Sequence, residues 1–348
     1  MKRLFVFQAL LFQVLSVYAA DPFINGDMFM LLGHPKFIVT ANSAAGGPLF
    51  SEGSYSINMN PALSGGLQFP ALDFGYTGIL HTGDSPEFGG NLHLGASIPT
   101  RMGVVSIGAH GLFDKDIMGI NSGLFRLGLS RDLTSNFYLG LSVWGGIIEF
   151  GEDNDFAIAA DVGAWYRIPQ LLFLKNIRFG AAVQNIGKSF IYDGYFSFPS
   201  MFTPKLGIAF SVLQVKMLEI GLSADVALPS FLLNITANTG LQINIANLIN
   251  VYAGWDFNLR ETAHLKDVGM KEVVNKPYIA VGVKLKVDTS GNNFMHKHSL
   301  NEMVLDVDTI WQKRYENSQL FSVGGSAVFG ERDNFPPVIQ TGEVRYTE

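Results

Sequence analysis

Apolar residues alternate with small or polar ones along most of the chain, most clearly between residues 217 and 228. From Leu218 to Leu228 every second residue is apolar, and the residues between them are small or charged. Successive side chains of a β-strand point to opposite faces, so one face of this segment is apolar throughout. A tilted strand needs about 9 to 11 residues to cross a bilayer, and this segment is long enough. The pattern predicts one strand of a transmembrane β-barrel.

The same alternation recurs from residue 68 to residue 329, in windows separated by turn-forming residues. The window at 320–329 is weaker, and one further strand is expected within 190–198. Long connections are predicted at 188–201, 260–276 and 288–318. Because bacterial barrels have an even number of strands, the windows predict an all-β, antiparallel barrel of about 14 strands.

A soluble β-sandwich or secreted barrel is the alternative, because its strands alternate too. Its second face would meet water and carry many Lys, Glu and Thr residues. Here that face is mostly Gly, Ala and Ser with a few charges, which suits the enclosed side of a closed barrel. Trp144, Trp165 and Trp255 lie near strand ends, where aromatic girdles at the two bilayer interfaces would place them.

Composition agrees with a membrane barrel. Charged residues make up 16% of the chain, against roughly 25% in a typical soluble domain. The mean hydropathy is +0.23, yet no apolar run beyond residue 20 is long enough for a membrane helix. The formal net charge of -6 gives no reason to expect nucleic acid as a partner, since such binding needs a basic face.

The N-terminus has the features of a secretory signal peptide. A basic start at Lys2 and Arg3 precedes an apolar stretch and a small-residue cleavage site after Ala19. We therefore assign residues 1–19 to a signal peptide; a membrane anchor is the alternative. The chain has no cysteine, which excludes disulfides and a lipoprotein cysteine.

Three further segments follow from these patterns. Residues 20–66 do not alternate for long and are predicted to form either a leading strand with loops or a hatch folded into the barrel lumen. Pro61 restricts the backbone of Asn60, and the glycines at 65 and 66 turn the chain. Residues 67–330 would form the barrel, and residues 331–348 a C-terminal tail.

Short motifs resemble a known family of barrels. Asn60-Pro61-Ala62, followed by Tyr76 in the first clear strand, resembles the motif after the hatch of FadL-type outer-membrane transporters and their PorV/PorQ-like relatives. The segments at 179–187 (FGAAVQNIG) and 204–208 (PKLGI) are similar to strand sequences of the PorV/PorQ-like branch. The likeness is strongest to the uncharacterised FadL-like proteins of spirochaetes. Leu63 departs from the family, which usually has Gly there.

The resemblance implies a barrel of 14 strands in the bacterial outer membrane, with a hatch at Asn60, Pro61 and Ala62. It implies passive uptake of hydrophobic small molecules, such as long-chain fatty acids, and contacts with outer-membrane lipid. Two alternatives stay open. One is a PorV-like scaffold that does not transport and has an envelope protein partner. The other is a surface-exposed adhesin that binds through its long loops.

Two groups of residues are candidates for ligand binding. The most apolar part of the hatch either lines a ligand pocket or packs against the wall, because Met adapts to varied apolar shapes; its residues are Met28, Phe29, Met30, Leu32 and Phe37. Arg126 and Arg178 belong to the lumen-side charges and would suit a carboxylate. The favoured interpretation of these charges is a set of ion pairs that fills the lumen, since charges at membrane depth need partners or water.

No enzyme, metal site or cofactor is predicted. The chain contains neither G-x-S-x-G nor H-E-x-x-H. His296 and His298 share a predicted loop with no third His nearby. The sequence therefore favours a channel or a scaffold over a catalyst.

Overall fold

The computed structural model describes residues 21–22, 34–36, 43–47, 53–81, 87–114, 120–150, 153–192, 196–259, 276–289, 291–292, 294, 297, 302–315 and 318–330. The assignments of residues 1–19 to a signal peptide and of 331–348 to a tail lie outside the described residues and stay predictions.

Fourteen described strands form one closed antiparallel barrel, in which the last strand pairs with the first. The prediction of an all-β barrel of 14 strands is confirmed. The strands are β2 Ala71–His81, β3 Glu87–Thr100, β4 Gly103–Asp114, β5 Ile120–Thr134, β6 Phe137–Phe150, β7 Asp153–Leu171, β8 Leu174–Lys188, β11 Thr203–Val215, β12 Leu218–Ala227, β13 Thr236–Ile245, β14 Ile249–Asn258, β15 Lys276–Asp288, β16 Glu302–Tyr315 and β17 Ser318–Val328.

Three short strands form a separate sheet outside this barrel ladder: β1 Asp21–Pro22, β9 Phe190–Tyr192 and β10 Phe196–Phe198. The sheet ties the beginning of the described chain to the connection between β8 and β11. Two 3₁₀ helices, Ser54–Asn58 and Leu63–Gly66, precede β2. Among the described residues, no helix is both long and apolar enough to cross a membrane.

The predicted number of strands is right, but one predicted strand is wrong. Residues 190–198 contribute two short strands to the separate sheet, and β16 takes the place in the barrel that was expected to be a long loop. The inward face of β16 carries Asp306 and Asp308, which make the segment resemble a polar loop. Both carboxylates lie near the ammonium of Lys36, and this partner comes from far away in the sequence.

The apolar face of the strands points outward. On β12, Leu222 and Val226 are exposed, whereas Gly221 and Ser223 are buried. The same division holds on β5, whose burial alternates along most of its length. An apolar outer surface enclosing small and polar side chains is the arrangement of a transmembrane barrel and the reverse of a soluble one.

The predicted aromatic girdle is wrong for two of its three tryptophans. Trp144 and Trp165 point into the barrel and are buried, whereas Trp255 lies on the outer surface. Trp165 stacks on Tyr138 with 4.1 Å between ring centroids and donates its indole hydrogen to a buried carbonyl. The two inward tryptophans therefore belong to the packing of the lumen.

Most tight connections lie at one end of the barrel, at residues 101–102, 135–136, 172–173, 216–217 and 246–248, whereas between the described strands only 151–152 and 316–317 are as short at the opposite end. The longer segments 189–202 and 259–275 join strands at the opposite end. Bacterial barrels place their short turns on the periplasmic side and their longer loops outside. We call the two ends the inner end and the outer end accordingly.

Candidate functional site

Asn60 lies at the centre of the polar contacts between the barrel wall and the segment predicted to form the hatch, residues 20–66, which we continue to call the hatch. Its side-chain amide donates hydrogen bonds to the Ala44 carbonyl (2.7 Å) and to the Ala164 carbonyl on β7 (3.0 Å). Its side-chain oxygen accepts from the backbone N–H of Ala62 at 3.0 Å. Asn60 is fully buried. One side chain thus joins two parts of the hatch to the wall.

Wall glycines let the hatch backbone approach the strands closely. Gly140 on β6 pairs with Gly163 on β7. A Cβ added to Gly140 would overlap the backbone of Pro61 and Ala62, and one added to Gly163 would overlap the side chain of Asn60. The predicted hatch motif, residues 60–62, therefore sits directly against a pair of glycines that face into the barrel.

A second glycine pair receives the hatch at Ala44. Gly180 on β8 pairs with Gly207 on β11, and a Cβ at Gly180 would overlap the Ala44 carbonyl. Asp225 on β12 accepts the backbone N–H of Ala44 at 2.8 Å. The small residues that the alternation placed on the enclosed face thus give the hatch backbone room to pack.

The first 3₁₀ helix of the hatch, Ser54–Asn58, is fixed at both ends by wall residues. The carboxylate of Asp73 on β2 accepts hydrogen bonds from the backbone N–H and the hydroxyl of Ser54. At the other end, Gln184 on β8 donates to the Asn58 carbonyl at 2.7 Å. A carboxylate at the N-terminal end satisfies N–H groups that lack partners within the helix.

Lys36 connects the hatch to β16. Its ammonium lies 3.0 Å from Asp306 and 3.8 Å from Asp308. Burial by itself would lower the pKa of Lys36, but the attraction of the two carboxylates outweighs it and raises that pKa above its ordinary value. Lys36 therefore stays charged, and the pair holds this part of the hatch against the wall.

His34 packs between the hatch and the wall beside Lys36. Its ring stacks on Tyr55 at 4.7 Å between centroids and lies edge-on to His93 of β3 at 5.7 Å. Burial, together with the neighbouring charges, lowers the pKa of His34 well below its ordinary value. Its Nδ1 accepts the backbone N–H of Lys36 at 3.1 Å.

The two predicted arginines face the lumen, where both engage groups of the chain itself. Arg126 forms an ion pair with Asp161 and packs over the ring of Trp144. Arg178 donates to the Gly47 carbonyl at 3.3 Å and packs over Trp165. The pairing of Arg126 agrees with the interpretation of lumen charges as ion pairs. Their role in ligand binding stays a prediction.

The apolar hatch residues predicted to line a pocket lie outside the described residues: Met28, Phe29, Met30, Leu32 and Phe37. Their contact with a ligand stays a prediction. Within the part of the chain that the structure describes, no group of three or more His, Asp or Glu residues is arranged to hold a metal ion.

A group of apolar side chains that were not among the predicted site residues points into the lumen near the outer end. We call it the upper lumen patch. Leu320 on β17 is directly paired with Ile79 on β2, and both are buried. The other members are Leu112 on β4, Ile120 on β5 and Ile148 on β6. Leu320 already lies in the predicted window 320–329, and extending the other strand windows to their true ends places the remaining residues on the inward face.

These features define a class: a transmembrane β-barrel with an internal segment fixed to its wall. No protein-family model and no curated protein sequence matches the chain. Among solved structures, the chain is similar to a FadL homologue of Pseudomonas aeruginosa, with a TM-score of 0.53 and 11% identity over 85% of this chain and 98% of that one. This likeness extends to the fold alone.

Two further solved barrels are similar at lower scores. The toluene transporter TbuX of Ralstonia pickettii has a TM-score of 0.49 and 10% identity, over 85% of this chain and 97% of that one. A deltaS2 mutant of the TodX monoaromatic hydrocarbon channel has a TM-score of 0.49 and 9% identity, over 80% of this chain and 94% of that one.

Proposed function

We propose that this chain is a bacterial outer-membrane channel for the passive uptake of hydrophobic small molecules. The observation that carries the proposal is the upper lumen patch, in which apolar side chains line the enclosed side of strands that are otherwise polar there. Apolar surface inside a pore favours apolar solutes over water and ions. The fold shared with the FadL homologue supports the proposal.

In this proposal the hatch is the barrier below the patch. Its described parts are bonded to β2, β5, β7, β8, β12 and β16. A molecule that enters from the outer end would meet the patch first and the hatch next. Passage then requires some of these contacts to separate for a time, and no energy source is needed.

Long-chain fatty acids are the finer proposal, taken from the family resemblance. The ion pair between Arg126 and Asp161 bears on how they would bind. Because the guanidinium already has a carboxylate partner, a fatty-acid headgroup would have to displace Asp161 to bind Arg126. We therefore expect the apolar tail to supply most of the recognition.

Uptake by whole cells tests the proposal. The full chain is expressed in a bacterium that lacks its own channels for hydrophobic compounds, and labelled oleate and toluene are supplied outside. Cells with the chain are expected to take up at least one of the two faster than cells with an empty vector. If cells with the chain and cells with the empty vector took up each compound at the same rate, transport would be contradicted.

Two variants of Leu112 test whether uptake depends on the upper lumen patch. Leu112→Asn is expected to reduce uptake several-fold, because it places a polar amide among the apolar side chains of the patch. Leu112→Met keeps the side chain apolar and is expected to retain uptake. An equal loss of uptake in both variants would contradict a role for the apolar character of this side chain.

A scaffold barrel is the second candidate, and the number of bonds between hatch and wall favours it. A permanently fixed hatch would block the lumen, and the protein would then act through an envelope protein partner. Deleting residues 20–60 separates the two functions. If the protein is a channel, the deletion variant is expected to let molecules pass without control. If it is a scaffold, the full-length protein is expected to show negligible uptake.

A further inference from the structure

The turn between β7 and β8 exposes apolar side chains in an unfavourable backbone conformation. Leu172 is 81% exposed and Phe173 is 71% exposed. Leu172 has φ of +56°, a left-handed conformation that Gly or Asn adopts far more readily than a residue with a branched apolar side chain. Backbone strain of this kind persists only where the surrounding structure holds it, and it clusters at functional sites. The turn therefore points to an apolar neighbour outside the chain.

Two other tight turns at the same end also expose apolar side chains. Met102, between β3 and β4, and Met217, between β11 and β12, are both largely exposed. Each stands next to an exposed cation, Arg101 or Lys216. None of the three turns contains an acidic residue. We call residues 101–102, 172–173 and 216–217 together the inner rim.

Exposed apolar side chains flanked by cations are typical of segments that lie in the headgroup region of a bilayer. Cations near a membrane surface are attracted to anionic lipids, whereas neutral lipids carry no net charge to attract or repel them. We propose that the inner rim inserts into the inner leaflet of the membrane and binds anionic phospholipid there. This proposal rests on the membrane location of the barrel and is independent of transport.

The chain contains two internal controls. The connection between β12 and β13, at the outer end, exposes Leu232, which also has positive φ, but residues 228–235 include no charged residue. The turn between β5 and β6 lies at the inner end, yet it consists of Ser135 and Asn136 and contains neither an apolar nor a charged residue. We expect the first to contact lipid of any charge and the second to stay in water.

Fluorescence quenching tests the proposal. The chain has no cysteine, so a polarity-sensitive fluorophore can be placed at Phe173→Cys, Met217→Cys, Leu232→Cys or Ser135→Cys of the full-length protein. Each labelled protein is reconstituted in vesicles of phosphatidylcholine, alone or mixed with phosphatidylglycerol. The vesicles carry a headgroup-located quencher.

Probes at positions 173 and 217 are expected to be quenched, and more strongly when phosphatidylglycerol is present. The probe at 232 should be quenched equally in both lipids, and the probe at 135 should be quenched least of the four. Unquenched probes at both 173 and 217 would overturn the proposal, because the rim would then lie in water or against a protein.

Charge and strain are separated by two further variants. With Arg101→Gln and Lys216→Gln together, the phosphatidylglycerol needed for half-maximal quenching at 173 is expected to rise about tenfold. An unchanged requirement for phosphatidylglycerol in this double variant would overturn the role of the cations.

Leu172→Gly relieves the turn, so we expect higher resistance to unfolding in detergent together with weaker quenching at 173. Unchanged quenching there would contradict a lipid contact for Leu172.

Discussion

At the scale of single residues, Asp161 shows how the lumen accommodates charge. Its carboxylate pairs with Arg126, accepts the hydroxyl of Ser142 at 2.7 Å and accepts the backbone N–H of Asn185 at 2.8 Å. Asp161 is fully buried. A buried charge requires an opposite charge and hydrogen bonds to offset its desolvation, and Asp161 has both.

Replacing this carboxylate tests its contribution to stability. Asp161→Asn is expected to destabilise the barrel by about 3–5 kcal/mol, because Arg126 keeps its charge in a buried site without its partner. Unfolding in detergent, followed by the change in gel migration on heating, measures the effect. Arg126→Met in the same background should restore part of the loss.

The ion pair between Lys188 and Asp155 is the matched control. Its atoms are 2.6 Å apart and both side chains are partly exposed. Exposed pairs contribute about 0–1 kcal/mol, so Asp155→Asn should scarcely change unfolding. If Asp161→Asn and Asp155→Asn lowered the stability against unfolding equally, Asp161 would not hold a buried charge.

At the scale of elements, glycines on the wall strands set how closely the hatch packs. Gly140 on β6 faces the backbone of Pro61 and Ala62. Rigid backbone on both sides leaves little room for adjustment, and overfilling a packed interior costs about 1–3 kcal/mol. The contact between β6 and the hatch therefore depends on the absence of a single methyl group.

Gly140→Ala is expected to lower the unfolding temperature of the barrel and to expose the hatch to added protease. Gly123→Ala on β5 is the control, because a Cβ there meets no atom within 4 Å. Limited proteolysis and thermal unfolding in detergent measure both effects. A Gly140→Ala protein as stable and as protected as the Gly123→Ala protein would contradict the close packing.

The elements also show where prediction from the sequence stops. Alternation located most of the barrel strands, because a strand with one lipid face and one lumen face has a period of two. It missed β16, whose inward aspartates are neutralised by Lys36, a residue 270 positions away. It placed a strand at 190–198, where two short strands pair with each other instead.

At the scale of the whole molecule, the orientation of the barrel faces divides the four tryptophans into two pairs. Trp255 and Trp311 lie on the outer surface and are 40% and 42% exposed. Trp144 and Trp165 point inward and are 3% and 1% exposed. In a membrane the outer pair would contact lipid, and the inner pair would contact only protein.

Brominated lipids should therefore quench only one pair. A protein with Trp144→Phe and Trp165→Phe keeps the outer tryptophans, and its fluorescence is expected to fall strongly in brominated vesicles. A protein with Trp255→Phe and Trp311→Phe keeps the inner ones and should be quenched far less. Stronger quenching of the inner pair would reverse the assignment of the two faces and would contradict a transmembrane barrel.

The candidate site was accessible from the sequence only in part. The motif at residues 60–62 could be found because a proline and an asparagine stand out before the first strand. Its partners could not, since Asn60 bonds to a carbonyl 104 positions later in the chain. The upper lumen patch shows the opposite case: its signal was present in the alternation, but the ends of most of the strand windows were set too short.

The sequence by itself determined which side chains of most strands face lipid and which are enclosed, because this follows from a local period and from the difference between apolar and small residues. Only the tertiary structure decided which wall residues meet the hatch, and which turns gather at one rim. Those contacts depend on how the sheet closes and on the register of paired strands, and neither property is written in any single segment of the chain.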